Sequence, residues 1–144
     1  MTAVFENQSA EVAKRNLAAA QLIYNLFLQG NIPAVLEMCS EDIVWKHGAN
    51  PHIVPFGGTY EGKAGVLRFF EAVSQSVQMT RFEPHNFAAE GNSVTNDVHV
   101  ELMVIPTGKT LYLPESSVWT FGDDGRVVQY ETCGDMSTLE RAFL

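Results

Sequence analysis

The chain has 144 residues, of which 46% are hydrophobic, and carries two cysteines and a formal net charge of -8. A chain of this length buries enough surface on folding to support one domain, here 1–144, with its own hydrophobic core. Its 17 acidic and 9 basic residues, with no Lys/Arg cluster, lack the basic footprint that holds nucleic acids and anionic membranes. No apolar run approaches the roughly 20 residues that cross a bilayer.

The opening segment MTAVFENQSAEVAKR has neither the basic start nor the apolar centre of a secretion signal, so a cytoplasmic location is expected. Cys39 and Cys133 are then expected as buried small hydrophobes rather than a disulfide. Residues 8–29 predict a long helix, because Val12, Leu17, Ala20, Tyr24, Phe27 and Leu28 recur at about helical spacing and Gly30 follows. Asn31 caps a second, short helix, IPAVLEMCS, whose Pro33 lies in the first turn where no amide hydrogen is needed. A third helix fits GKAGVLRFFEAVSQSVQ, with Val66, Phe69, Phe70, Val73 and Val77 on one face. These three helices are expected to come before the sheet.

From Met79 the apolar period changes to two. Strands are predicted at QMTRF, HNFAAE, SVTNDVHVELMVI, KTLYLPESSVWTF and GRVVQYETC, with glycine turns between the later ones. In residues 94–104 the even positions are apolar apart from Asn96, and Thr95, Asp97, His99 and Glu101 form a hydrophilic row that faces either solvent or a partner subunit. In the next strand Leu111, Leu113, Glu115, Ser117, Trp119 and Phe121 share a face. A carboxylate in that company is the sheet's foremost candidate for acid or base work, because burial raises its pKa. Helices followed by a curled antiparallel sheet make an α+β domain.

The segment GNIPAVLEMCSEDIVWKHGANPHIVPFGGTYEGKAGVLRFFEAV and the later VWTFGDDGRVVQYET together resemble the superfamily containing nuclear transport factor 2, ketosteroid isomerase, limonene epoxide hydrolase and the SnoaL polyketide cyclases. The shared features are a Gly-Asn before the second helix, the pair Glu41–Asp42 ahead of Trp45, a G-x-Y-x-G turn at 58–62, and F-x-x-x-G-R-V from Phe121. The resemblance runs from about residue 8 to 134. It implies an NTF2-like cone: three N-terminal helices on a strongly curved, mostly antiparallel sheet, with a pocket at the wide end and pairing into homodimers.

It also implies site positions. The isomerase's general-base aspartate falls on His47, whose imidazole can do the same work near neutral pH. The isomerase's helix tyrosine falls on Ile23, one place from Tyr24, and its protonated aspartate falls on Ser117. A serine hydroxyl is a weaker donor to a developing enolate than a neutral carboxylic acid, which argues against steroid isomerisation. No Asp-Arg-Asp relay of the epoxide-hydrolase kind is evident.

Trp45 and His47 share a face if residues 43–47 are extended. The catalytic candidates are therefore His47 as base, Ser117 as weak donor, and Glu115 as orienter of the histidine or as a second acid. Tyr24, Trp45, His52, Tyr60, Trp119 and Tyr130 are the candidate ligand contacts. His85 and His99 read as structural or surface groups. Without H-E-x-x-H or H-x-H spacing no metal is expected, and GGTYEGKAG lacks the phosphate-cradle pattern. The leading expectation is a cofactor-independent isomerase, cyclase or dehydratase acting on a small, uncharged hydrophobic molecule. The alternative is a non-catalytic ligand-binding or protein-interaction dimer on the same fold.

Overall fold

The computed structural model describes residues 2–144, with side chains described from residue 9 onward. In chain order the elements are α1 (Thr2–Leu28), α2 (Ile32–Glu37), β1 (Cys39–His47), β2 (Gly58–Glu61), α3 (Gly62–Ser76), β3 (Val77–Glu90), β4 (Ser93–Val104), β5 (Thr110–Phe121), β6 (Val127–Cys133) and α4 (Ser137–Ala142). One six-stranded sheet runs in the order β2-β1-β6-β5-β4-β3. Only the β1–β6 pair is parallel; the other neighbours are antiparallel. The sheet is the curved, unclosed wall of an NTF2-like cone.

Local chemistry sets the boundaries. The chain leaves α1 through Gly30, whose φ of 74° is open to glycine at little cost. Asn31 Oδ1 then accepts the Ala34 amide at 3.3 Å and caps α2. The buried stripe of α1 runs through Asn16, Ala20, Ile23 and Tyr24, while Leu28 in the last turn is exposed. α2 ends at Glu37, so Cys39 and Ser40 open β1 rather than finish a helix. α3 stops at Ser76 because Val77 is extended and starts β3 directly.

β3 is one strand of 14 residues, where the sequence predicted two short ones. The bend at Asn86 is absorbed as a bulge: its φ is 55°, tolerable for asparagine, and its amide donates to Asp97 Oδ2 at 3.0 Å. Among the described residues the helices number four and not three. α4 is a single short turn and a half, with only Leu139 and Ala142 buried, too brief to show a helical period. β1 and β2 also precede α3, so the helices do not all come first.

The strand alternation holds. Val94, Asn96, Val98, Val100, Leu102 and Val104 point inward on β4, and Leu113, Ser117, Trp119 and Phe121 are buried on β5. α3 covers β1 and β2 while α1 covers β3 and β4, closing the inner face. The hydrophilic row lies outside and is engaged within the sheet. Arg81 bridges Glu83 and Glu101, Glu101 also meets His99 at 3.1 Å, and Asp97 accepts from Asn86 and Ser116. Both cysteines are free; burial pushes the Cys39 thiol up to about 11, and its S–H reaches the Val35 carbonyl at 3.5 Å. Among the described residues no helix is long and apolar enough to cross a membrane.

Candidate functional site

Strand register assembles the site. His47 lies opposite Thr132, Thr132 opposite Ser117, and Ser117 opposite Asn96, so one row of polar side chains crosses β1, β6, β5 and β4 on the inner face. The neighbouring row is Trp45, Tyr130, Trp119 and Val94. In an antiparallel or parallel ladder, paired residues on one face meet side by side. The single parallel pairing of β1 with β6 is what brings a histidine from residue 47 to the serine and threonine of the C-terminal strands.

His47 and Thr132 of the first row and Trp45, Tyr130 and Trp119 of the second wall a cavity of about 70 Å³. His47, Glu115, Tyr24, Trp45, Trp119 and Tyr130 all line it, with an aromatic and aliphatic remainder that includes Ile23, Phe56 and Leu139. Ile23 and Tyr24 both reach the cavity although they are adjacent on α1. His47 is 7% exposed, and its Nε2 stands 3.7 Å from Glu115 Oε2. That is beyond the usual 2.7–3.2 Å of a direct hydrogen bond, about 3 Å. Its other nitrogen, Nδ1, accepts the Ala49 backbone amide at 3.2 Å. Phe56 packs edge-on against the imidazole at 5.2 Å.

Two hydrogen-bonded sets lie beneath. Trp119 Nε1 donates to Asn96 Oδ1 at 3.0 Å, which fixes the amide so that Asn96 Nδ2 donates to the Tyr24 hydroxyl at 2.9 Å and to the Asp97 carbonyl at 3.1 Å. The Tyr24 hydroxyl in turn donates to Asn96 Oδ1 at 3.3 Å. Thr132 Oγ1 donates to the Tyr130 hydroxyl at 2.9 Å, and Ser117 Oγ meets the same hydroxyl at 2.9 Å. Ser117 is spent on this buried contact and does not line the cavity. Trp45 lines the cavity with a buried indole N–H that finds no partner among the described residues.

Of the residues singled out from sequence, His52 is exposed on the loop after β1, and Tyr60 donates its hydroxyl to the Pro55 carbonyl at 3.3 Å; neither lines the cavity. Asn96, Thr132, Phe56 and Leu139 belong to the site and were not singled out. Asn96 carried a signal, as the one polar side chain in an apolar alternating row. Phe56 and Leu139 carried none, because a loop and a one-turn helix have no period.

Burial holds the Tyr24 phenol above its ordinary value of 10.0 and the Tyr130 phenol well above it. Both stay neutral hydroxyls through the working range. The folded protein therefore binds these protons more tightly than the unfolded chain does. The stability they contribute is intact below about pH 10 and is lost as pH rises beyond it. The urea midpoint should begin to fall near pH 9, where the Cys39 thiol ionises in the unfolded chain but not in the folded one, and fall more steeply above about pH 10; a midpoint that held or rose above pH 10 would contradict the burial of these groups.

Residues 20–130 match the family model of the SnoaL-like domain. No curated protein matches the chain in sequence. Among similar solved structures, an NTF2-like protein of unknown function from Burkholderia pseudomallei is 25% identical with a TM-score of 0.81, covering 90% of this chain and 97% of that one. TerC, co-crystallised with polyporic acid, is also 25% identical, with a TM-score of 0.79 over 90% of this chain and 98% of its own. A protein provisionally named a polyketide cyclase, from Xanthomonas campestris pv. campestris, is 19% identical at a TM-score of 0.72, over 92% and 99% of the two chains, a likeness of fold.

Proposed function

The chain belongs to the SnoaL-like family, and from that premise we propose that it is a cofactor-independent enzyme that moves a proton on a small, uncharged hydrophobic molecule. The observation that carries this reading is the approach of His47 to Glu115, 3.7 Å apart, on the wall of an otherwise apolar cavity. A titratable pair in an apolar recess is the arrangement that acid–base chemistry requires. Two groups just too far apart to bond each other are both available to a third. The unpartnered Trp45 N–H adds a donor for a ligand oxygen.

Isomerase, cyclase and dehydratase chemistry all fit such a pair. Similar structures provisionally named isomerases and a polyketide cyclase support the same range. TerC's co-crystallisation with polyporic acid supports a small-molecule ligand rather than a protein one. Steroid-type isomerisation is disfavoured, because Ser117 stands at the acid's position and its hydroxyl is held by Tyr130.

The cavity of about 70 Å³ is smaller than the space of about 150 Å³ that admits benzene in an apolar core. An aromatic substrate therefore needs the cavity walls to give on binding. The loop 48–57 meets the C-terminal segment beside the cavity: the Asn50 amide donates to Glu140 Oε2 at 2.8 Å and the Phe56 and Phe143 rings lie 6.0 Å apart.

Both tryptophans of the chain, Trp45 and Trp119, line the cavity, so intrinsic emission reports its occupancy. Titration with a panel of aromatic ketones and terpenoids should give a saturable change in that emission for at least one compound. The cavity reading fails if no compound saturates the signal. A compound that saturates it and undergoes no chemistry favours the second reading, a binding module.

A further inference from the structure

The hydrogen bond from the Ala49 amide decides which partner of the pair does what, and this inference rests on the reading of the pair as the reactive centre. A nitrogen that accepts a backbone N–H carries no hydrogen of its own. With Nδ1 accepting from Ala49 at 3.2 Å, neutral His47 holds its proton on Nε2, the nitrogen facing Glu115. An imidazole in that form is a hydrogen-bond donor toward the cavity, not a base. To act as base through Nε2 it would have to move its proton to Nδ1, where the Ala49 amide stands in the way.

The segment that supplies the amide is tightly built. The Asn50 carbonyl accepts the amides of Ile53 and Val54 at 3.0 and 2.8 Å, and Gly57 N donates to Val54 O at 2.9 Å. Gly48 N donates to Thr132 O at 3.1 Å, tying the loop to the site's own row. Gly57 lies directly against Ala49: a Cβ there would overlap the Ala49 carbonyl oxygen and come within 2.8 Å of its carbon. Both are backbone atoms that cannot swing aside, so any side chain at 57 displaces Ala49 and with it the amide on His47.

We propose that the loop 48–57 locks His47 as its Nε2–H tautomer, which makes His47 the hydrogen-bond donor and Glu115 the proton acceptor, with Gly57 as a positioning residue. This exchanges the roles expected from sequence, where His47 was the base. It also names a substrate class, an enolisable carbonyl compound. The Glu115 carboxylate takes the proton from the carbon next to the carbonyl, the C–H electron pair becomes the C=C bond of the enolate as the C=O π pair moves onto oxygen, and that oxygen is stabilised by His47 Nε2–H. The Glu115 carboxyl then returns the proton to the same carbon, from either face, or, where a C=C bond is conjugated with the enolate, to the far end of that system, and the carbonyl re-forms. Atoms and electrons balance without a co-reactant.

The test is the tautomer itself, read by long-range ¹H–¹⁵N correlation on histidine-labelled protein at about pH 8, where an ordinary imidazole of pKa about 6.5 is neutral. His47 is assigned by the signal missing from His47→Gln. Wild type should show His47 wholly as Nε2–H. Glu115→Ala should leave that pattern unchanged, since the loop and not the carboxylate sets it. Gly57→Ala should convert it to a mixture and lower turnover about 10²-fold, the usual cost of a displacement of about 1 Å.

An Nδ1–H or averaged pattern in wild type overturns the proposal, as does a tautomer that relaxes in Glu115→Ala. A pure Nε2–H pattern in folded Gly57→Ala removes Gly57 from it. Should Gly57→Ala not fold, the other two spectra decide the tautomer lock by themselves. None of these spectra depends on catalysis, so a locked tautomer in a protein that turns nothing over would defeat the enzyme reading and leave the lock standing.

Discussion

Glu115→Gln should lower turnover by about 10²- to 10⁴-fold, the usual contribution of a positioned general acid or base, while the ligand's effect on tryptophan emission saturates at nearly the same concentration. The two results belong together. Glutamine keeps the size and hydrogen-bonding reach of glutamate but cannot take a proton. Ligand affinity comes from the apolar walls around Trp45, Trp119 and Phe69, which the substitution leaves alone. Loss confined to kcat marks a group that acts in the transition state, and an equal rise in KM would mark a group that only binds. His47→Gln should lose less, about 10²- to 10³-fold, as expected for one hydrogen-bond donor to a developing oxyanion. If Glu115→Gln turned over within about twofold of wild type, the carboxylate would have no part in proton transfer.

The largest effect on stability should follow Asn96→Leu, a change that keeps the side chain's branching and removes its polar contacts. Asn96 is 3% exposed and sits between Trp119, Tyr24 and the Asp97 carbonyl. Leucine leaves the Trp119 N–H buried without an acceptor and the Tyr24 oxygen without its donor. Each stranded group costs about 1–3 kcal/mol, so a total of about 3 kcal/mol and a fall in melting temperature of about 10 °C are expected. Calorimetry on wild type and variant checks this. An unchanged melting temperature would mean that the apolar side chain offsets the whole network, and the Tyr24–Asn96–Trp119 set would then have no structural weight.

Much of this arrangement was legible in the residues because alternation is a local rule. The inward row of β5 put Glu115 beside Ser117 and Trp119, and the i, i+2 relation put Trp45 beside His47, both from spacing alone. Asn96 stood out in its apolar row for the same reason. The approach of His47 to Glu115 was only a conditional expectation, since it depends on β6 lying between β1 and β5 and pairing parallel to β1. No local pattern specifies a strand order.

The loop 48–57 was hardest to read. Its glycines and prolines announce turns, yet they do not say that Gly57 would pack on Ala49 or that Ala49 would reach back to His47. His52 and Tyr60 were plausible contacts from sequence because one lies within that loop and the other just beyond it. The loop folds with the first in solvent and the second on the Pro55 carbonyl. β2 was hidden by the glycine at its start and by its four-residue length.

The central claim is that the Glu115–His47 pair moves a proton on a carbonyl compound bound in the cone. Hydrogen–deuterium exchange at the α-carbon tests it most directly, because exchange reports proton abstraction whatever the final product is. Each compound that saturates the tryptophan signal would be incubated in ²H₂O with wild type or with Glu115→Gln and followed by proton NMR. The account predicts loss of the α-proton signal at a rate proportional to wild-type enzyme, and only background exchange with the variant. Bound compounds whose α-protons exchange at the background rate with both proteins would contradict it.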